Sequence, residues 1–140
     1  MREPGALAGL DPGRGKCGLV RTDALCRHVV EALVLPPEAC FERLVLWHQR
    51  REITGLVVGN GTGSGEWTAR WAHRLPLHLV DERGSTLEAR QRYWELASPR
   101  GWQRLLPRGL RQPPRDVDDI VAQLLLERWL GDRLTRLPAP

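Results

Sequence analysis

The chain reads as one α/β domain over residues 1–140. Three observations predict this. The first 35 residues carry three short apolar runs parted by tight turns. The run Ile53-Thr54-Gly55-Leu56-Val57-Val58-Gly59 is continuous and bounded by glycines, as a strand buried on both faces should be. From residue 36 onward, helical and strand patterns alternate.

Composition sets the outer limits. With 140 residues, 41% hydrophobic and 27% charged, the chain can bury a core of its own without staples. No apolar run is long enough to cross a bilayer, and Met1-Arg2-Glu3-Pro4-Gly5 precedes no apolar signal segment. The expectation is a cytoplasmic protein with no membrane partner. Cys17, Cys26 and Cys40 form no CxxC pair and are expected as small buried apolar residues. The four histidines are scattered, which argues against a histidine metal site.

The first strand, Ala6 to Leu10, delivers Asp11 to a turn, Pro12-Gly13-Arg14-Gly15-Lys16. A carboxylate at such a corner can hold a ligand, and Asp-Pro-Gly is equally a common turn former. Cys17 to Thr22 and Leu25 to Leu35 follow as strands, and the short link between them makes the three an antiparallel meander. Pro36-Pro37 ends the sheet run and opens a helix to about Arg50, with Phe41, Leu44, Val45 and His48 on one face.

After the Ile53–Gly59 strand comes Asn60-Gly61-Thr62-Gly63-Ser64-Gly65, then a helix from about Glu66 to Leu75. Two readings of this loop stand: an anion site at a helix N-terminus, or a flexible turn with Ser64 as helix cap. It is not a Walker loop, since no Gly-Lys-Ser/Thr follows. Leu77 to Val80 is a short strand running into Asp81-Glu82-Arg83, and a helix from about Leu87 to Ala97 follows. Adjacent acids on a strand point to opposite sides, so one of Asp81 and Glu82 faces any given site, and Arg83 can neutralise the other. Ser98 to Pro114 is a long Pro-, Gly- and Arg-rich connection. The last helix runs from Val117 to Leu130, with Asp116 as its expected cap. Asp118 and Asp119 in its first turn suit the helix dipole whatever else they do.

Charge is the more informative global property. The formal net charge is +4, and Lys16 is the only basic residue besides histidine that is not arginine. Arg90, Arg92, Arg100, Arg104, Arg108, Arg111 and Arg115 cluster with Tyr93, Trp94 and Trp102 among them, opposed by Glu95 alone. Arginine grips phosphate with two prongs and stacks on bases, so this make-up suits a nucleic-acid-tracking surface. Arginine on an ordinary solvated face is the alternative.

Taken together, these pieces resemble the YqgF family, also called RuvX-like, of the RNase H-like superfamily. Gly9-Leu10-Asp11-Pro12-Gly13 followed by Gly18 resembles its opening motif, and that of the RuvC resolvases. Val80-Asp81-Glu82-Arg83-Gly84-Ser85-Thr86-Leu87-Glu88-Ala89 resembles its Asp-Glu-Arg-x-Ser/Thr-Thr-x-Glu-Ala signature. Val117-Asp118-Asp119-Ile120 through Glu127 resembles its C-terminal helix. Where family members usually carry Gly-Leu-Pro, this chain has Gly59-Asn60-Gly61-Thr62, which is similar to the YqgF-like domain of the transcription accessory protein Tex.

The resemblance implies an RNase H-like fold, a five-stranded mixed sheet of order 3-2-1-4-5 flanked by helices. It implies a metal-dependent endonuclease, with Asp11, Glu82 and Asp118 as the catalytic, metal-holding carboxylates and Asp81 and Asp119 as substitutes. Hard oxygen donors and a phosphate substrate favour Mg²⁺ or Mn²⁺. Arg14, Lys16 and Arg83, with Arg104 and Arg108 of the arginine cluster, are the expected nucleic-acid contacts. The implied partner is structured RNA or branched DNA, with the chain a monomer or homodimer. Trimming of the 5′ end of precursor 16S rRNA is the leading activity, Holliday-junction resolution its rival, and a non-catalytic binding module the Tex-like alternative. One geometric demand follows: strand four separates strands one and five, so Asp11 and Glu82 start about 10 Å apart and must lean together.

Overall fold

The computed structural model describes residues 5–97, 104–107, 110 and 112–136. Its sheet is built from β1 (Leu7–Asp11), β2 (Cys17–Thr22), β3 (His28–Leu35), β4 (Gly55–Gly59), β5 (Leu77–Val80) and β6 (Thr135–Arg136). The helices are α1 (Pro37–Gln49), α2 (Ser64–Trp71), α3 (Ser85–Leu96) and α4 (Asp118–Leu130). The strand order is β5-β4-β1-β2-β3-β6. β1, β2 and β3 pair antiparallel, while β4 and β5 add parallel to β1. This is the expected RNase H-like 3-2-1-4-5 order with one correction, a sixth strand where five are expected. β6 pairs parallel with β3 through His28 and Val29 only.

Side-chain alternation divides the sheet between two helical layers. Ala8, Leu10, Cys17, Leu19, Leu56 and Val58 pack with Cys40, Leu44 and Trp47 of α1 and Trp67 and Trp71 of α2. On the other face Leu7, Val20, Val29 and Val57 pack against α4, with Ala89 of α3 in the same cluster. Of the cysteines, Cys17 and Cys40 are buried as expected, whereas Cys26 is only half-buried and sits in the turn before β3 with φ 55°.

α4 is buried along most of its length, from Asp119 through Glu127, wrapped by the sheet on one side and α3 on the other. Its polar residues Asp119, Gln123 and Glu127 recur every four positions and form one row. Arg92 donates two 2.9 Å hydrogen bonds to the Glu127 carboxylate, and both side chains are nearly solvent-free. The Gln123 amide donates to Glu127 Oε2 and to the Leu134 carbonyl, and the Leu134 N–H donates to Glu127 Oε2 at 3.0 Å. Arg136 of β6 reaches Gln123 Oε1 and Asp119 Oδ2. The sixth strand is thus held to α4 by side chains more than by its own short ladder.

Helix starts also differ by a residue or two. α2 and α3 begin after Gly63 and Gly84, both at positive φ, with no side-chain cap. Ser64 is the first helical residue of α2 rather than its cap. α4 begins after Val117, and Asp116 pairs with Lys16 instead of capping.

Candidate active site

β1 carries Leu7 and Gly9 toward α4, so Asp11, two residues further on, points to that same face. A Cβ on Gly9 would lie 2.7–2.9 Å from Leu126 and the Ala122 carbonyl, so glycine is what lets α4 lie this close to the central strand. Opposite Asp11 in the antiparallel ladder is Gly18. The space a Gly18 side chain would fill is taken by the backbone carbonyl of Asp118. The first turn of α4 therefore sits directly over the residue paired with Asp11, on the Asp11 side of the sheet.

Glu82 arrives from the far side of β4. Val80 packs toward α4, and Glu82 continues that alternation just past the strand end. Its carboxylate lies over the end of β4: a Cβ on Gly59 would stand 3.0 Å from Oε2, and one on Gly61 would overlap Oε1. Two glycines on the intervening strand thus give Glu82 room to lean toward β1, which is what the 10 Å strand separation demanded. The Glu82 N–H donates to Asn60 Oδ1 at 3.3 Å, and the Asn60 N–H to the Val80 carbonyl at 3.0 Å. The first half of the Gly-rich loop, Gly59 to Gly61, is therefore occupied by Glu82, while Thr62 and Gly63 at the start of α2 border a separate groove. The acid that first half accommodates is the protein's own.

The electrostatics agree with this convergence. Burial, reinforced by the charges of Asp118, Glu82 and Cys17, pushes the Asp11 carboxyl up to about 7. Burial also raises Asp118, against the opposing pull of Lys16. Among the described residues no three acidic, histidine or cysteine side chains close into a metal cage as they stand. The donor set nonetheless fits a hard divalent cation: carboxylate oxygens in a field negative enough to hold a proton on Asp11 near neutral pH.

The substitute acids are placed elsewhere. Asp119 is held below the usual carboxylate range despite its burial, because Arg115 and Arg136 both grip it. Asp81 accepts the Arg83 N–H at 3.0 Å, and its carbonyl accepts from Arg128 at 2.7 Å. Both are structural partners in this arrangement.

The basic residues divide in the same way. Lys16 meets Asp116 at 2.6 Å and Asp118 at 3.8 Å, so it borders the acids directly. Arg14 lines a groove of about 310 Å³ between the β1–β2 turn and the starts of α1 and α2. Arg83 is exposed next to Glu82, and Arg104 is exposed in the segment after α3. Arg108 lies outside the described residues, as do Arg100, Trp102 and Arg111. Arg92, expected in the basic surface, is instead buried against Glu127, where each charge compensates the other inside the α3–α4 interface. Trp94 is buried as well, so it offers no exposed stacking face.

Gly18, Gly59, Gly61 and Asn60 serve the site by leaving room for α4 and Glu82 and by fixing the Glu82 backbone, not by approaching a ligand as the sequence suggests for Gly18 and the Asn60 loop. The available signal was parity: Gly9, Gly18 and Gly59 fall on the face that carries Asp11, where a side chain would block α4 or Glu82.

The mixed sheet, with α4 laid across the strand ends that carry Asp11 and Glu82, has the strand order expected of an RNase H-like fold. No protein-family model matches the chain. It is 32% identical over 149 aligned positions to the "Putative pre-16S rRNA nuclease" of Azotobacter vinelandii, covering 95% of this chain and 98% of that protein. It is 36% identical over 98 positions to the protein of the same name from Coxiella burnetii, where the match covers 62% of this chain and 60% of the relative. Among solved structures it is similar to Thermus thermophilus RuvC, free and in complex with a Holliday junction substrate, at 15% identity and TM-scores of 0.45 and 0.44, covering 90% of this chain and 96% of each RuvC chain. The chain belongs to the family of these curated rRNA-nuclease relatives, the YqgF family.

Proposed function

We propose that the protein is a divalent-metal-dependent nuclease that hydrolyses phosphodiester bonds in structured RNA, with the 5′ end of precursor 16S rRNA as its substrate and the cytoplasm as its place of work. The observation that carries this reading is the leaning of Glu82 across two glycines toward Asp11, beneath the first turn of α4 that bears Asp118. Three acids from distant parts of the chain share one field, and nothing in a purely structural role requires that.

Asp11, Glu82 and Asp118 would hold Mg²⁺ or Mn²⁺. When bound, the metal supplies charge stabilisation and an activated water for attack on phosphorus. The residues around it have separable roles. Asp11, whose carboxyl burial and the neighbouring acids raise to about 7, would hold the cation in its ionised form. Asn60 fixes the backbone of Glu82, and Gly59 and Gly61 leave room for its carboxylate. Lys16 balances Asp116 and Asp118 and offers an ammonium to the substrate backbone.

The test is cleavage of a precursor 16S rRNA fragment and of a four-way DNA junction with Mg²⁺ or Mn²⁺, comparing the parent protein with Asp11→Asn. The expected result is rRNA cleavage by the parent and a loss of at least 100-fold in the variant, as befits an electrostatic group at the reaction centre. Equal cleavage by both would remove Asp11 from catalysis. Junction cleavage without rRNA cleavage would move the protein to the resolvase reading, and binding without cleavage of either would make it a binding module.

A further inference from the structure

Beside Asp118, away from the α1–α2 layer, lies a second cavity of about 270 Å³ where the β1–β2 turn, α3 and the start of α4 meet. Lys16, Arg90 and Arg115 line it together with Thr86, Asp116 and Asp118. Thr86 and Arg90 are one turn apart on α3 and so share a face. Both α3 and α4 begin here, and neither has a side-chain cap on its first N–H groups. Helix starts attract anions, and here they are joined by three cations.

Two of those cations are already held in place. Arg115 donates to Asp119 Oδ1 at 2.8 Å and to the Asp116 carbonyl at 2.6 Å, and Lys16 is anchored on Asp116. Ordering them on a ligand would therefore cost little further side-chain entropy. Arg90 is different: it is exposed, and among the described residues no hydrogen bond or ion pair engages its guanidinium. A planar two-pronged donor, exposed on a pocket where three cations face the two carboxylates of Asp116 and Asp118, is matched to a phosphate. The groove on the other helical layer differs in balance, since Arg14 and Arg70 there face Glu38 and Glu66.

We propose that this pocket binds a backbone phosphate of the nucleic-acid strand, the one neighbouring the phosphate at the Asp11–Glu82–Asp118 site, with Arg90 as its principal ligand and Thr86, Lys16 and Arg115 around it. The shared residue Asp118 makes the two positions adjacent. The identity of the strand rests on the nuclease reading, but the pocket's affinity for a phosphodiester does not.

The experiment measures binding of a fluorescent RNA hairpin with a single-stranded 5′ tail to the full chain in chelator, without metal, across a salt series. Arg90→Ala should weaken binding about five- to ten-fold and flatten the slope of log K against log salt by about 0.7, one phosphate contact on a single strand. Thr86→Val should weaken it about two-fold, while Arg133→Ala, remote on the Glu95 ion pair, should change neither quantity. Replacing tail phosphates one at a time with neutral methylphosphonates should abolish the Arg90→Ala penalty at one position only. An unchanged Kd and slope in Arg90→Ala, or a penalty indifferent to which phosphate is neutralised, overturns the proposal. Because no metal is present, the two readings separate. Arg90-dependent binding by a protein that cleaves nothing fails the nuclease reading and keeps the pocket, whereas cleavage with Arg90-independent binding does the reverse.

Discussion

The carbonyl of Asp118 occupies the place where a side chain on Gly18 would be, and Gly18 is the ladder partner of Asp11. One missing methyl group thus sets how closely the last helix approaches the central strand. Gly18→Ala is expected to push the first turn of α4 outward and to destabilise the fold by about 1–3 kcal/mol, the usual cost of overpacking against backbone. Urea unfolding measures it. A variant as stable as the parent would mean that α4 has slack the structure does not show.

Gly61 plays a parallel part for Glu82, with less burial around it. Gly61→Ala should displace the Glu82 carboxylate while changing stability by less than about 1 kcal/mol, since the site is a surface turn. Cleavage and Mn²⁺ binding should both fall at least ten-fold. Intact activity with a normal melting curve would show that Glu82 works from another position.

Asp11 gives the stability a pH signature. Its carboxyl is raised from 3.8 to about 7 in the fold, so between those values the folded chain binds a proton that the unfolded chain has released. Stability from this group is accordingly present below about pH 4 and is lost as pH rises through about 7. Asp11→Asn removes the term and should be more stable than the parent at pH 8 by on the order of 2–4 kcal/mol, with the gap closing toward pH 4. Unfolding curves of the two proteins at both pH values check this, and a gap of constant size contradicts it.

Glu127 sits where α3, α4 and β6 meet, accepting from Arg92, Gln123 and the Leu134 N–H. Glu127→Ala leaves the Arg92 charge buried with Glu95, 3.2 Å from its Nε, as its remaining ion-pair partner among the described residues. Removing one side of a buried pair is costly, and a loss on the order of 3 kcal/mol is expected. Hydrogen exchange should show β6 opening first, because its two-residue ladder cannot hold it alone.

Much of this architecture was legible in the residues. The meander, the glycine-bounded strand at residues 55–59 and the corner acid Asp11 all follow from local pattern, because each is a run whose side chains meet one environment. β6 did not, since Thr135–Arg136 is strand only by virtue of what Gln123 and Glu127 hold in place. Arg92 is hidden from the sequence for a related reason: a basic residue in a basic stretch reads as surface until its partner, 35 positions away, is placed beside it. The convergence of Asp11, Glu82 and Asp118 could be expected only through family likeness. The means by which Glu82 crosses β4 lies in residues with no side chain, and spacing says nothing about which glycines a neighbour needs.

The central claim, that these acids share a divalent ion, is tested most directly by calorimetric titration of Mn²⁺ into the parent protein, Asp11→Asn and Glu82→Gln at pH 8. The account predicts saturable binding by the parent, with affinity lowered at least ten-fold in each variant. Equal binding by all three proteins, or no binding by the parent, would contradict it.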